Sequence, residues 1–173
     1  MSTSPFIDPA EVSLRLLKLQ AKKKDPAQRI SAVRGLAAYL DQHQVQLILK
    51  RIVTKDKNAK VRLATVEVLA PLITTRDESV RLILKRIALR DRDAAVRATA
   101  IRVLAPLVDS KDPVRRIAIN RMFDDKDAGV RLAAVRALAP LASSDNAIRT
   151  MLFGKSSSDK DAEVRAAAAL AVA

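Results

Sequence analysis

His43 is the sole histidine of a 173-residue chain that contains no cysteine. It stands in Asp41-Gln42-His43-Gln44, two residues from a carboxylate. An imidazole can move a proton or ligate a metal, but a zinc-type centre gathers several nitrogen or sulfur donors, and no second one exists here. Ser156, Ser157 and Ser158 offer three hydroxyls, with no histidine near in sequence and no nucleophile elbow around them. Gly154-Lys155-Ser156 has the tail of a phosphate-binding loop but lacks the earlier glycine and the preceding strand. Asp125-Lys126-Asp127 is too short and too poor in oxygen ligands for a calcium loop. The expectation is a protein that is not an enzyme, with no cofactor and no metal.

The chemistry that is abundant is cationic. The chain has 32 Lys and Arg against 19 Asp and Glu, a net charge of +13. Residues 1–90 carry 18 basic against 8 acidic side chains, and residues 91–173 carry 14 against 11. Fifteen of the nineteen acids are Asp and most fall at turns, where a short carboxylate accepts from the unpaired N–H groups of a helix start. Much of the acid is thereby committed locally, and the Lys and Arg are freer to face outward. A field of this sign suits a polyanion.

The elements that must carry these charges are repeated. Leu47–Leu72 reads LILKRIVTKDKNAKVRLATVEVLAPL, and Leu82–Leu107 reads LILKRIALRDRDAAVRATAIRVLAPL. VRLAAVRALAPL follows at Val130–Leu141, and VRAAAALAVA begins at Val164. A period of 34 to 35 residues marks a helical solenoid, in which each unit buries its apolar face against its neighbours. Residues 1–8 read as a flexible leader and 9–173 as one repeat domain. Asp8-Pro9, with Glu11 in the capping-box place, starts a helix reaching Lys22, and Asp25-Pro26 starts one reaching Tyr39 or Leu40. Further helices are expected at 44–53, 61–73, 77–89, 96–108, 112–123, 130–142 and 145–153. The last follows a polar turn at 155–160 and starts near Ala162. Pro71, Pro106 and Pro140 recur inside LAPL and should bend the last turn of each Val-Arg helix.

The Asp turn followed by Val-Arg, and the proline near the helix end, resemble HEAT repeats. The matching text is DKNAKVRLATVEVLAPL at Asp56–Leu72, DRDAAVRATAIRVLAPL at Asp91–Leu107, DKDAGVRLAAVRALAPL at Asp125–Leu141 and DKDAEVRAAAALAVA at Asp159–Ala173. DPAQRISAVRGLAAYL at Asp25–Leu40 is a weaker match. The resemblance implies an all-α, right-handed α-solenoid of about five HEAT-like helical pairs, the last incomplete, with the Val-Arg helices on the concave wall. It also implies a structural ladder made by Arg62, Arg97, Arg131 and Arg165. Their turn partners would be Asp56, Asp91 or Asp93, Asp125 or Asp127, and Asp159 or Asp161.

Outside the ladder, the position five residues after each ladder arginine holds Glu67, Arg102 and Arg136, with Arg34 in the weak first unit. The preceding helices carry Lys50, Arg51, Lys85, Arg86 and Arg121, and the turns carry Lys57, Lys60 and Arg92. These ten, Lys50, Arg51, Lys57, Lys60, Lys85, Arg86, Arg92, Arg102, Arg121 and Arg136, are the candidate polyanion-binding residues. Phosphates neutralised by such side chains release counterions, and affinity then falls steeply with salt. Aromatic residues are confined to Tyr39, Phe6, Phe123 and Phe153, with no Trp, so stacked single strands have no platform. The expected function is non-catalytic docking of a nucleic acid, duplex or structured, by backbone contacts. The alternative is a scaffold that binds an acidic protein partner, as a fragment or subunit of a larger assembly. No signal sequence or membrane span is evident, which gives a cytoplasmic expectation. Self-association is expected, if anywhere, at the alanine-rich C-terminal end, through Ala167, Leu170 and Val172.

Overall fold

Short Asp-bearing turns and eleven- to thirteen-residue apolar stripes dictate the architecture. The computed structural model describes residues 15, 17–74, 78–108 and 113–173. All regular structure among them is helical. The leader, the start at Asp8, Pro9 and Glu11, and the expected caps Asp77 and Asp112 lie outside the described residues. No described helix is long and apolar enough to cross a membrane. By its internal contacts the chain divides into two compact units, Met1–Leu69 and Ala70–Ala173.

In the first unit, residues 17–20 are helical and are followed by α1 (Pro26–Gly35), a 3₁₀ segment (Leu36–Tyr39), α2 (His43–Lys55) and α3 (Ala59–Leu69). Asp25 caps α1 by accepting from the Ala27 N–H at 3.0 Å, and Pro26 takes the first helical position, where its missing N–H costs nothing. Both α1 and α2 pack on α3. Val33, Leu36, Val45, Leu49, Val53, Val61, Val66 and Leu69 are fully buried between them. Val45, Leu49 and Val53 recur every four residues and so form one stripe of α2. At Gly35 the chain passes close to Leu17: an added Cβ would lie 2.6 Å from the Leu17 side chain.

The second unit begins with a 3₁₀ segment (Ala70–Thr74), followed by α4 (Glu78–Arg90) and α5 (Ala94–Leu104). Next come α6 (Val114–Asp124) and α7 (Ala128–Leu138), then α8 (Asn146–Ser158) and α9 (Ala162–Val172). The helices pair as α4 with α5, α6 with α7 and α8 with α9, and the second helix of each pair packs on the next, α5 on α7 and α7 on α9. Leu84, Leu104, Met122, Leu138 and Leu152 are fully buried in this stack. The prolines act as expected. Each Val-Arg helix gives way to 3₁₀ geometry at its LAPL sequence, at Ala70–Thr74, Ala105–Leu107 and Ala139–Leu141, because proline removes one i→i−4 bond and crowds the carbonyl below it. With its eleven residues, α9 equals α5 and α7 in length.

One expected turn is a helix. Residues 155–158 continue α8 to Ser158. The Ser156 and Ser157 hydroxyls donate back to the carbonyls of Phe153 and Gly154 instead of opening the chain. Lys155 is buried, pairs with Asp159 at 2.9 Å and lies over the Phe123 ring at 5.4 Å.

The turns are joined by arginines that hold two turns at once. Arg97 donates through Nη1 to the Asp91 carbonyl at 2.9 Å, and through Nε and Nη2 to the Asp125 carboxylate at 2.9 and 2.7 Å. Arg131 repeats this, with Nη1 on the carbonyls of Asp125 and Lys126 and its fork on Asp159 at 2.8 Å. In the first unit Arg29 does the same, with Nη1 on Lys23 and Lys24 and its fork on Asp56. Within each turn the two acceptors divide the work. The first Asp takes the arginine and the N–H two residues on, at Asn58, Asp127 and Asp161. The second caps the helix, with Asp93, Asp127 and Asp161 accepting from Val96, Val130 and Val164. Arg62 donates to the carbonyls of Asp56 and Lys57, and Arg165 to that of Asp159.

The Arg131 and Asp159 side chains are 4% and 1% exposed. Hydrogen bonding to Asp159 raises the Arg131 guanidinium further. The same bond holds the Asp159 carboxyl far below the usual carboxylate range against the opposing effect of burial, and Lys155 adds to it. At Asp125, burial pushes the carboxyl up, and the bonds from Arg97 and the Asp127 N–H outweigh it to leave it lowered. Arg131→Met takes the bidentate partner from a buried carboxylate, leaving it Lys155 and the Asp161 N–H, and should cost about 3 kcal/mol, read as a lower urea midpoint with unchanged slope. Because both carboxyls are lowered in the folded chain, their stabilisation is complete above the unfolded value of about 3.9 and is lost as pH falls through the folded values. The urea midpoint should therefore decline from about pH 4 downward, less steeply in Asp159→Asn; an unchanged slope in that variant would remove Asp159 from the account.

Candidate functional site

In the first unit, the segment before α1 and the helix α2 enclose an open groove of about 670 Å³. Ala21, Ile48 and Ile52 form its floor, and Lys18, Lys22, Arg51 and Lys55 stand around it, with Asp56 at one end. α2 presents this face because its buried stripe is Val45, Leu49 and Val53, which turns Ile48, Arg51, Ile52 and Lys55 toward the groove. Ile48 and Ile52 are half-buried, while Lys22, Arg51 and Lys55 are exposed. Lys18 is steadied by Gln44, to whose side-chain oxygen its ammonium donates at 3.2 Å. A second hollow of about 640 Å³ shares Ala21, Lys22, Lys55 and Asp56 and adds Lys23, Lys24, Arg29, Lys57 and Asn58.

The one carboxylate here is already engaged. Burial raises the Asp56 carboxyl, but the bonds from Arg29 and the Asn58 N–H outweigh this and leave it lowered. The Arg29 guanidinium is correspondingly raised by its bond to Asp56. Asp56 therefore stays anionic and spent on the ladder, and the groove keeps a cationic rim over an apolar floor. Such a surface attracts carboxylates by charge and can bury the apolar side chains beside them.

The ten expected polyanion-binding residues are distributed over several elements of both units. Lys50 and Arg51 lie on α2, Lys85 and Arg86 on α4, Arg102 on α5 and Arg136 on α7, while Lys57, Lys60 and Arg92 belong to turns or helix starts. Arg121, on α6, is half-buried and donates through Nη1 to Asp125 at 3.3 Å, four residues on, which joins it to a rung. Arg136 pairs at the surface with Glu163 at 3.1 Å, and Arg102 donates to the Thr99 hydroxyl at 2.7 Å. Arg51, Lys60 and Arg86 are exposed. Arg51 alone of the ten lines the first groove, and Lys57 the hollow beside it.

Arg29 was absent from the expected ladder, although a signal was present: it stands four residues after Asp25, as Arg97 stands four after Asp93. Lys18, Lys22 and Lys55 were likewise outside the candidate set. The Lys22-Lys23-Lys24 run reads as a helix end in sequence, and its neighbour Lys55 is more than thirty residues away. His43 is exposed at the first position of α2. Among the described residues, no three His, Cys, Asp or Glu side chains cluster to hold a metal.

The exposed cations and the ladder separate in one test. Arg51→Glu and Lys22→Glu should leave the unfolding free energy, read by urea titration, within about 0.5 kcal/mol of the parent chain, as surface changes do. Arg29→Gln should cost about 2 kcal/mol by breaking the charged bonds to Asp56.

The family described as HEAT repeats matches residues 13–105. No curated protein matches the sequence. Among solved structures, the chain is similar to one in the complex of CpcE and CpcF of phycocyanin lyase from Nostoc sp. PCC7120, with a TM-score of 0.64 and 21% identity. The likeness covers 94% of this chain and 99% of that one. At that identity the fold is what is shared, a right-handed all-α solenoid of paired helices.

Proposed function

The chain belongs to the HEAT-repeat family, and from that premise we propose that it is a non-catalytic docking module whose first-unit groove binds an acidic segment of a protein partner. The carrying observation is the combination in that groove of an apolar floor, Ala21, Ile48 and Ile52, with the cations Lys18, Lys22, Arg51 and Lys55. An amphipathic segment bearing Glu or Asp beside Leu or Ile uses both features: its apolar side chains leave water and its carboxylates meet the rim. A nucleic acid uses only the rim, because its outward surface is a row of phosphates.

Two further observations favour a protein over the nucleic acid suggested by net charge. Of the ten basic residues singled out for phosphates, Arg121 is drawn into a rung and Arg136 is paired with Glu163, and the rest are divided among first helices, second helices and turns. The similar Nostoc chain is solved as part of a complex of two proteins.

The test is fluorescence anisotropy with three labelled probes: an amphipathic Glu/Leu helix-forming peptide, a scrambled peptide of the same composition, and a short duplex DNA. The amphipathic peptide should bind best, the scrambled one about tenfold more weakly, and Arg51→Glu or Lys22→Glu should cost about another tenfold. Equal binding of both peptides would remove the floor from the account. Tighter binding of the duplex, with a steep salt dependence and the same sensitivity to Arg51→Glu, would assign the groove to nucleic acid instead.

A further inference from the structure

The turns of the second unit share one charge pattern. Asp91-Arg92-Asp93, Asp125-Lys126-Asp127 and Asp159-Lys160-Asp161 each set two carboxylates around one cation. The second Asp of each caps the helix that follows. The two turns that line the hollow of about 640 Å³ in the first unit break this pattern. They read Lys23-Lys24-Asp25 and Asp56-Lys57-Asn58. Lys23 takes the place of a first Asp, and Asn58 the place of a second. Two successive turns of the second unit carry four carboxylates and two cations, whereas these two carry two carboxylates and three cations. The sign of the turn edge is thereby reversed. Lys22 and Lys55, which directly precede the two turns, add to the excess.

The fold does not require this excess. Asn58 caps α3 through its side-chain oxygen, accepting from the Lys60 and Val61 N–H groups at 2.9 and 3.3 Å, so the cap is kept while a charge is removed. Arg29 holds the turn before α1 by the carbonyls of Lys23 and Lys24, which leaves the side chains of both out of that contact. Lys22, Lys23, Lys24 and Lys55 are all exposed. Asp56, the one carboxylate among the described residues lining the hollow, is occupied by the Arg29 fork and the Asn58 N–H. The hollow therefore offers several ammoniums on two fixed turns and no carboxylate left to answer them.

We propose that the acidic segment docked in the adjoining groove carries a phosphorylated Ser or Thr, whose phosphate seats in this hollow among Lys22, Lys23, Lys24 and Lys55. The inference rests on the docking reading of the groove and names the chemistry of the partner. Groove and hollow share Ala21, Lys22, Lys55 and Asp56, so one chain can enter both. The groove supplies the apolar floor, whereas the hollow adds only Pro26 to the shared Ala21 as apolar lining. An Asp or Glu side chain brings one charge and two oxygens. A phosphomonoester brings about −1.5 to −2 and three strong acceptors, which matches a site with several ammoniums. Lysine meets phosphate as a point charge from any direction and needs no fork. The guanidinium of Arg29, which has the fork, is committed to Asp56.

The probes are labelled amphipathic Glu/Leu peptides extended by a short Gly linker and one Ser, phosphoserine or Glu, titrated onto the full chain. Two series place the extra residue at either terminus, since only one direction brings it to the hollow. In one series the phosphoserine peptide should bind at least about tenfold more tightly than the Ser peptide, and the Glu peptide should recover no more than about threefold. The double variant Lys23→Gln, Lys24→Gln, which keeps both carbonyls for Arg29, should erase the phosphate gain and change binding of the Ser peptide less than about twofold. Circular dichroism checks that the variant keeps its helix. Ser and phosphoserine peptides that bind alike in both series, or a gain that survives the double variant, overturn this inference and leave the groove reading standing. Peptides that fail to bind in every form overturn both. A short duplex DNA that binds more tightly than the phosphopeptide, with the same loss in the double variant, overturns the inference in favour of a nucleic acid.

Discussion

The two-handed arginine is the contact on which the rest of the structure depends. Alanine-rich helices of eleven residues are marginal alone and bury little area each. What fixes one pair against the next is a guanidinium that reads the carbonyls of its own turn with Nη1 and the carboxylate of the next turn with Nε and Nη2. A buried ion pair is weak evidence for stability unless its remaining hydrogen-bonding capacity is met. Here it is met: Asp159 accepts from Arg131, Lys155 and the Asp161 N–H. The rung thus sets orientation and register, and the Leu, Val and Ala stripes supply the burial.

This arrangement also sorts the charges. Asp56, Asp125 and Asp159 are consumed as rung acceptors and Asp25, Asp93, Asp127, Asp145 and Asp161 as caps, so these carboxylates are committed within the turns. The cations left outside acquire meaning only where the backbone gathers them over apolar area, as around Ile48 and Ile52. A formal charge is a property of composition, whereas a docking surface is a property of placement. Of the ten basic residues singled out by spacing, Arg51 alone stands in the first groove.

Helix order and turn positions were legible because the period is nearly strict and Asp caps α1, α5, α7, α8 and α9. Of the rungs, those of Arg97 and Arg131 were legible through the resemblance to HEAT repeats, and that of Arg29 was not. Which Asp of each turn would take the arginine was not, because both are chemically alike and only the backbone path makes one the cap. The end of α8 was misread for a related reason. Gly, Lys and three Ser in succession have the composition of a loop, yet the Lys155 stem is buried and its ammonium is held by Asp159 and Phe123. Tertiary contacts of that kind override local preference. The groove was hidden because its walls come from segments about thirty residues apart.

Among the second helices, α5 packs on α7 and α7 on α9. A copy of such a pair inserted into the row would meet, before and behind it, the same side chains that its parent met, and no distant core would need refitting. The near-identity of Leu47–Leu72 and Leu82–Leu107 is what such a lineage leaves behind: growth by duplication, with selection then acting mainly on the faces that the neighbours do not cover.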